Sequence, residues 1–247
     1  MNIRKRNLYS IMFLITISLV SFASDTVALN YAFGFSSNEE LVWKCHICNI
    51  NKMNNIFGEN WSKTGLLENL SQGKKMKWSI ITAEENSTSL LANVSIWMWN
   101  NEEDWGVYDY WIEFPYLKNP SQYASNCNLS LVIPFIPFWF PVPVGEYLGT
   151  LKLSNMYDVD NRVLPTLNVQ MNKDFLQPNI PSERIFIIAI YTADGILSSY
   201  KLYTSGNVVV IDIGFESLPI YVIPSTLGLI GAFFIAIILY IRKQRKN

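Results

Sequence analysis

A single histidine, His46, and three cysteines, Cys45, Cys48 and Cys127, stand among 247 residues, and charged side chains make up only 16% of the chain. That scarcity limits the chemistry available. A zinc site built around His46 needs four convergent ligands, and Cys45 and His46, adjacent on one strand, point to opposite faces. Covalent haem attachment requires a histidine directly after the second cysteine, where Asn49 stands. A thioredoxin-like βαβ pattern around Cys45-His46-Ile47-Cys48 is missing, which leaves a thiol-redox role resting on Cys48 alone, placed before a short helix whose N-terminus would lower its pKa. No Gly/Ser or Pro linker and no fixed-period repeat divides the chain, and no residue constellation forms a catalytic signature. No metal or cofactor is expected.

What is present is concentrated at the two ends. Arg4, Lys5 and Arg6 precede the apolar run Ile11 to Ala23, which is too short for the ~20 residues that cross ~30 Å of hydrocarbon. The order of basic, apolar and small residues fits a secretory signal over 1–23. Leu218 to Ile241 contains no charged residue and is followed by Arg242, Lys243, Arg245 and Lys246. This predicts a transmembrane helix over 218–241, with a basic cytoplasmic tail at 242–247 and residues 24–217 outside. Of the 19 Lys+Arg, three lie in the first segment and four in the tail, leaving 12 against all 20 Asp+Glu in the external domain, a net of about −8. Nucleic acid is therefore not an expected partner, because phosphate neutralisation needs clustered Lys and Arg. The expected partners are the membrane itself and a glycan, lipid or surface protein.

The external domain reads as mainly antiparallel β, a meander, sandwich or half-barrel with one or two short helices. Met76, Trp78 and Ile80 alternate with polar residues, as do Leu90, Ala92, Val94, Ile96 and Met98, and a polar stretch at 84–88 joins the two runs into a hairpin. Three further runs, Arg184 to Tyr191, Ile196 to Tyr203 and Asn207 to Phe215, are parted by Ala193-Asp194-Gly195 and Ser205-Gly206, which predicts a three-stranded meander. The first of these is apolar on both faces and needs cover on both. Asn49 to Gly58 has helical spacing with glycine at its end, and Asn119-Pro120 is a cap-then-proline helix start.

Four groups of residues are candidates for function. Outside a cell the cysteines are expected to form a disulfide, most simply Cys127 with Cys45 or Cys48. Trp97, Trp99, Trp105 and Tyr108, in a stretch rich in acids that continues through Tyr110 and Trp111, are candidates for stacking on a sugar or holding a cation. Trp97 and Trp99 share the strand face of Asn93 and Ser95; a binding role requires that face at the surface, the alternative being that the tryptophans fill the sheet interior. The proline-dense run 131–144 cannot form a regular helix, a central strand or a membrane span. Its Phe138, Trp139 and Phe140 are expected to line the core or an apolar cavity, the alternative being contact with the bilayer surface. Five sequons place candidate glycosylation sites at Asn60, Asn69, Asn86, Asn93 and Asn128.

The phrases VWKCHICN, IFGENW, KMKW, FWFPVPVGEYLG, YDVDNRVLPTLNV and DGILSSYKLY, followed by VIPSTLGLIG and the basic tail, resemble a family of uncharacterised membrane-anchored surface proteins of Asgard (Lokiarchaeal) archaea. The likeness covers most of the mature chain. It implies a location at the cell surface and carries over no activity and no site residue. The expected role is thus binding or structural interaction at the envelope, with a lipid-handling domain as the alternative and an extracellular hydrolase as a distant one.

Overall fold

A computed structural model describes residues 30–100, 105–129, 133–171 and 184–216. The expected signal at 1–23 and membrane helix at 218–241 lie outside the described residues, among which no helix is long and apolar enough to cross a membrane. The fold below is that of the unit Tyr31–Asn247.

The protein is mainly β: among the described residues nine antiparallel strands form one sheet, with two short α-helices. The strands are β1 (Glu40–Cys48), β2 (Lys75–Glu85), β3 (Ser89–Asn100), β4 (Tyr110–Leu117), β5 (Tyr157–Asp160), β6 (Thr166–Gln170), β7 (Phe186–Tyr191), β8 (Leu197–Thr204) and β9 (Val208–Phe215). Their spatial order is β4-β3-β2-β1-β9-β8-β7-β6-β5. Two meanders, β1 to β4 and β5 to β9, are therefore stitched together by the pairing of β1 with β9, the one long-range junction of the sheet.

Local signals account for the pieces. The β2–β3 turn is held by Asn86, whose side-chain oxygen accepts from the backbone amides of Thr88 and Ser89 at 2.8 Å each. This is the Asx geometry that makes asparagine a turn residue. Helix α1 (Ile50–Phe57) starts at Asn49, whose side chain accepts from the Lys52 amide at 3.0 Å, and ends at Gly58 with φ +80. It buries Met53 and Ile56. The proline at 120 opens a single 3₁₀ turn, Pro120–Gln122, capped by the Asn119 side chain on the Ser121 amide. Helix α2 (Val144–Thr150) follows directly on the proline-dense run and buries Val144, Tyr147 and Leu148.

The described part of that run, from residue 133 on, packs into the interior. Phe138, Trp139 and Phe140 are at most 1% exposed. Phe138 meets Trp43 of β1 at 5.1 Å and Trp78 of β2 at 5.6 Å, Trp139 meets Tyr116 of β4 at 4.5 Å, and Phe140 meets Tyr191 of β7 at 5.1 Å. Side chains from four strands spread across the sheet thus converge on three consecutive residues. A segment rich in proline cannot satisfy its own carbonyls, and buried carbonyls left bare are costly. Tyrosine hydroxyls supply the donors: Tyr157 to Phe135 O at 3.1 Å, Tyr191 to Pro137 O at 2.8 Å and Tyr116 to Trp139 O at 2.9 Å. Backbone contacts complete the seating, with Leu197 N donating to Phe138 O at 2.9 Å and Phe140 N to Gly195 O at 2.8 Å. Burial raises the pKa of Tyr116 and Tyr191 well above the ordinary phenol value, so both stay protonated donors at physiological pH.

Tyr191→Phe keeps the ring and removes one of these donors. We expect a loss of about 1 kcal/mol, rising to about 3 kcal/mol if the Pro137 carbonyl then goes unsatisfied. The shift in denaturation midpoint of the purified chain measures it. A midpoint equal to wild type would mean that the hydroxyl does not hold the segment.

Candidate functional site

Trp97 lies directly opposite Lys77 in the β2–β3 pairing, and Ser95, two residues back on the same face, lies opposite Trp111 of β4. Trp97 and Trp111 are therefore diagonal neighbours, a spacing of about 7–8 Å that large side chains bridge. Trp111 is 53% exposed and Tyr108 47%. Tyr108 sets its ring edge-on to Trp97 at 6.2 Å, while the Trp97 indole N–H donates to Gly106 O at 3.1 Å. Asp109 anchors the loop by accepting from the Met98 amide at 2.7 Å.

A cation is already built into this surface. The Lys77 ammonium lies 4.1 Å from the Trp97 ring centroid and 5.3 Å from that of Trp105, and it pairs with Glu40 at 3.1 Å. Lys77 is only 8% exposed. Such burial is tolerable because two π faces and a carboxylate replace its water. The indoles of Trp97 and Trp105 thus hold an internal cation, and Tyr108 and Trp111 face outward.

Three of the four expected residues, Trp97, Trp105 and Tyr108, come together, and Trp99 does not. The β2–β3 register slips between the pairs Lys77 with Trp97 and Lys75 with Asn100, so β3 carries one residue more than β2 over that stretch. This bulge turns Trp99 away from the face of Trp97. Trp99 is 2% exposed, with its indole N–H donating to Leu66 O at 2.9 Å, and cannot be a surface platform. Tyr110 lies opposite Ile96, on the other face from Trp111, and donates its hydroxyl to Glu68 at 2.6 Å. Sequence reasoning missed Lys77, whose place is set by hairpin register. It placed Trp111 in the aromatic stretch without seeing that it carries the exposed indole.

Phe138, Trp139 and Phe140 sit in the core, and their neighbours border a cavity. A mostly apolar cavity of about 350 Å³ is lined by Ile133, Pro134, Ile136, Pro137, Tyr116 and Leu151, among others, with no carboxylate. A larger, open groove of about 640 Å³ lies on the outer face of β5 to β8, bordered by Phe186, Ile188, Tyr203 and one carboxylate, Asp158. The expected cover over the outer side of β7 is incomplete among the described residues: Phe186, Ile188 and Ile190 are only half-buried there.

All three cysteines are free thiols. The expected pairing of Cys127 with one of the other two is not formed: Cys127 borders the 350 Å³ cavity, whereas Cys45 and Cys48 interact with each other. Among the described residues no cluster of His, Cys, Asp or Glu could hold a metal. Four sequon asparagines, Asn60, Asn69, Asn86 and Asn128, are exposed. Asn93 is a correction, because it lies inside β3 at 9% exposure with its amide nitrogen donating to Thr82 at 2.7 Å, leaving no room for a glycan. The chain matches no protein-family model, no curated protein and no solved structure.

Proposed function

We propose that the chain is a single-pass surface protein, exported by residues 1–23 and anchored by 218–241, whose external half-barrel binds glycans on the aromatic face of β3 and β4. The anchoring rests on the length and charge flanks of the two apolar segments, and the resemblance to archaeal surface proteins points the same way. One observation carries the binding reading. Trp111 is more than half exposed, in diagonal register with Trp97, and Glu113 lies two residues along the same strand face. An exposed indole face beside a carboxylate can stack on a sugar ring while the carboxylate accepts its hydroxyls.

The test is tryptophan emission of the full chain in membranes, titrated with a panel of neutral and charged oligosaccharides. At least one should shift the emission, and Trp111→Ala should weaken that response about fivefold or more, matching roughly 1 kcal/mol for a lost stacking contact. A silent panel, or equal affinity of the variant, would defeat the reading. For the anchor, carbonate washing should leave the chain with the membranes, and protease added to intact cells should remove the domain.

A second reading has its own support in the apolar cavity. Its volume falls near the lower end of the range that holds small ligands, about 300–1,000 Å³. Native mass spectrometry of the purified chain should then show a co-purifying apolar molecule, displaced when Ile136→Trp fills the space. Neither cavity brings together the paired carboxylates that glycoside hydrolysis needs.

A further inference from the structure

Cys45 and Cys48 stand three positions apart on β1, which on a regular strand would send their side chains to opposite faces. This strand is not regular. Cys45 lies opposite Ile213, Ile47 opposite Asp212 and Cys48 opposite Ile211, so His46 is the extra residue of a bulge. The His46 imidazole lies over Gly214, its Nε2 2.8 Å from where a Cβ on that glycine would stand. The inserted residue restores the face: Ile211 and Ile213 are two apart on β9 and both fully buried, so Cys48 returns to the side of Cys45. Two strand residues rise about 6.4–6.8 Å, within reach of the Cα separation of a disulfide, about 4.4–6.8 Å.

The two thiols are neighbours, and their surroundings differ. Cys45 is wholly buried, with its sulfur also 3.3 Å from Ile47 O. Cys48 is half-buried and borders an open depression lined by Ile47, Asn49, Gln72 and Val209. It immediately precedes the Asn49 cap of α1, at the end of a helix where developing negative charge is favoured. The neighbouring Cys45 thiol holds the Cys48 pKa below the ordinary thiol value, while Cys48 and burial push Cys45 up.

We propose that Cys45 and Cys48 are a dithiol–disulfide exchange site for external disulfides, with Cys48 the exchanging sulfur and Cys45 the resolving one. The Cys48 thiolate attacks one sulfur of a disulfide RSSR. The S–S bond breaks, one RS⁻ leaves and takes a proton from solvent, and Cys48 is joined to R as a mixed disulfide. The Cys45 thiol then loses its proton and attacks Cys48 Sγ, expelling the second RS⁻. Two thiols of the chain are oxidised to one disulfide, and the external disulfide is reduced to two thiols. Cys127, its thiol pKa raised by burial, takes no part.

The probe is glutathione disulfide, added to the full chain in detergent and followed by acid quenching, alkylation and peptide mass analysis. A Cys45–Cys48 disulfide should form while Cys127 remains alkylatable. Cys45→Ser should trap one glutathione on Cys48, and Cys48→Ser should leave Cys45 unmodified. In the reduced wild-type chain, Cys48 should alkylate several-fold faster than Cys127 near neutral pH, with a rate that falls at lower pH than for an ordinary thiol. A disulfide to Cys127, modification of Cys45 before Cys48, or a Cys48 that stays free in Cys45→Ser would each overturn the proposal.

Discussion

Replacing Phe138 with alanine is expected to destabilise the fold by about 3–5 kcal/mol, the cost of emptying a large aromatic site in a close-packed core. The ring is 1% exposed and edge-on to Trp43 at 5.1 Å, with Trp78 tilted against it at 5.6 Å. Two tryptophans cannot easily collapse into the gap, because each is held elsewhere: Trp43 donates its indole N–H to Leu197 O at 2.7 Å, and Trp78 stacks on Phe114 at 5.0 Å. The backbone bond from Leu197 N to Phe138 O survives the substitution, so the loss isolates packing from hydrogen bonding. For a domain of this size each kcal/mol moves the melting temperature by about 2–4 °C, which puts the expected drop at roughly 6–20 °C. Near-UV circular dichroism, dominated by the buried indoles, should lose intensity in the same variant. A drop under about 1 kcal/mol would mean that the ring lies outside the core and would revive contact with the bilayer surface.

The same region separates what was legible in the residues from what was not. Hairpin β2–β3, the meander β7 to β9, α1 between Asn49 and Gly58, and the turn at Pro120 are all written locally, in alternation, caps and turn residues. Four prolines between 131 and 144 excluded helix and strand, and low charge pointed that segment inward. What no local pattern encodes is the junction of β1 with β9, which pairs residues some 170 positions apart and makes one sheet of two meanders. Strands β5 and β6 are four and five residues long, too short for alternation to declare them. β4 hid behind its own aromatics, read as a binding stretch and found to be an edge strand as well.

The mistaken facing of Trp99 and the nearness of Cys48 to Cys45, which their spacing hides, have one cause. Alternation assigns side chains to faces only while the register runs unbroken, and a single inserted residue inverts every assignment beyond it. The bulge in β3 buried Trp99, and the bulge at His46 set Cys48 beside Cys45. Bulges leave little trace in residue type when the extra residue is not glycine, as with His46. The exposed indole of Trp111 and the caged ammonium of Lys77 likewise follow from strand pairing. Neither is visible in the order of residues alone.

Gly195→Ala should be the more damaging of two matched glycine substitutions, and the comparison tests the seating of the proline-dense segment from the other side. Gly195 and Gly206 occupy the turns before and after β8 with nearly identical φ, +79 and +78. An alanine at either pays the left-handed penalty of about 1–2 kcal/mol. At Gly206 nothing lies within 4 Å of the added methyl. At Gly195 that methyl would stand 2.1 Å from the carbonyl oxygen of Phe140, which is backbone and cannot swing aside as a side chain would. Relieving the clash must lengthen the bond from Phe140 N to Gly195 O, now 2.8 Å, and lift Phe140 from Tyr191. Overpacking of this kind adds about 1–3 kcal/mol, so Gly195→Ala is expected to cost about 2–5 kcal/mol in total. Parallel denaturation of the two variants cancels the shared conformational term, leaving the steric one. Equal midpoints would show that the β7–β8 turn does not press on Phe140, and the interior packing described for residues 138–140 would have to be redrawn.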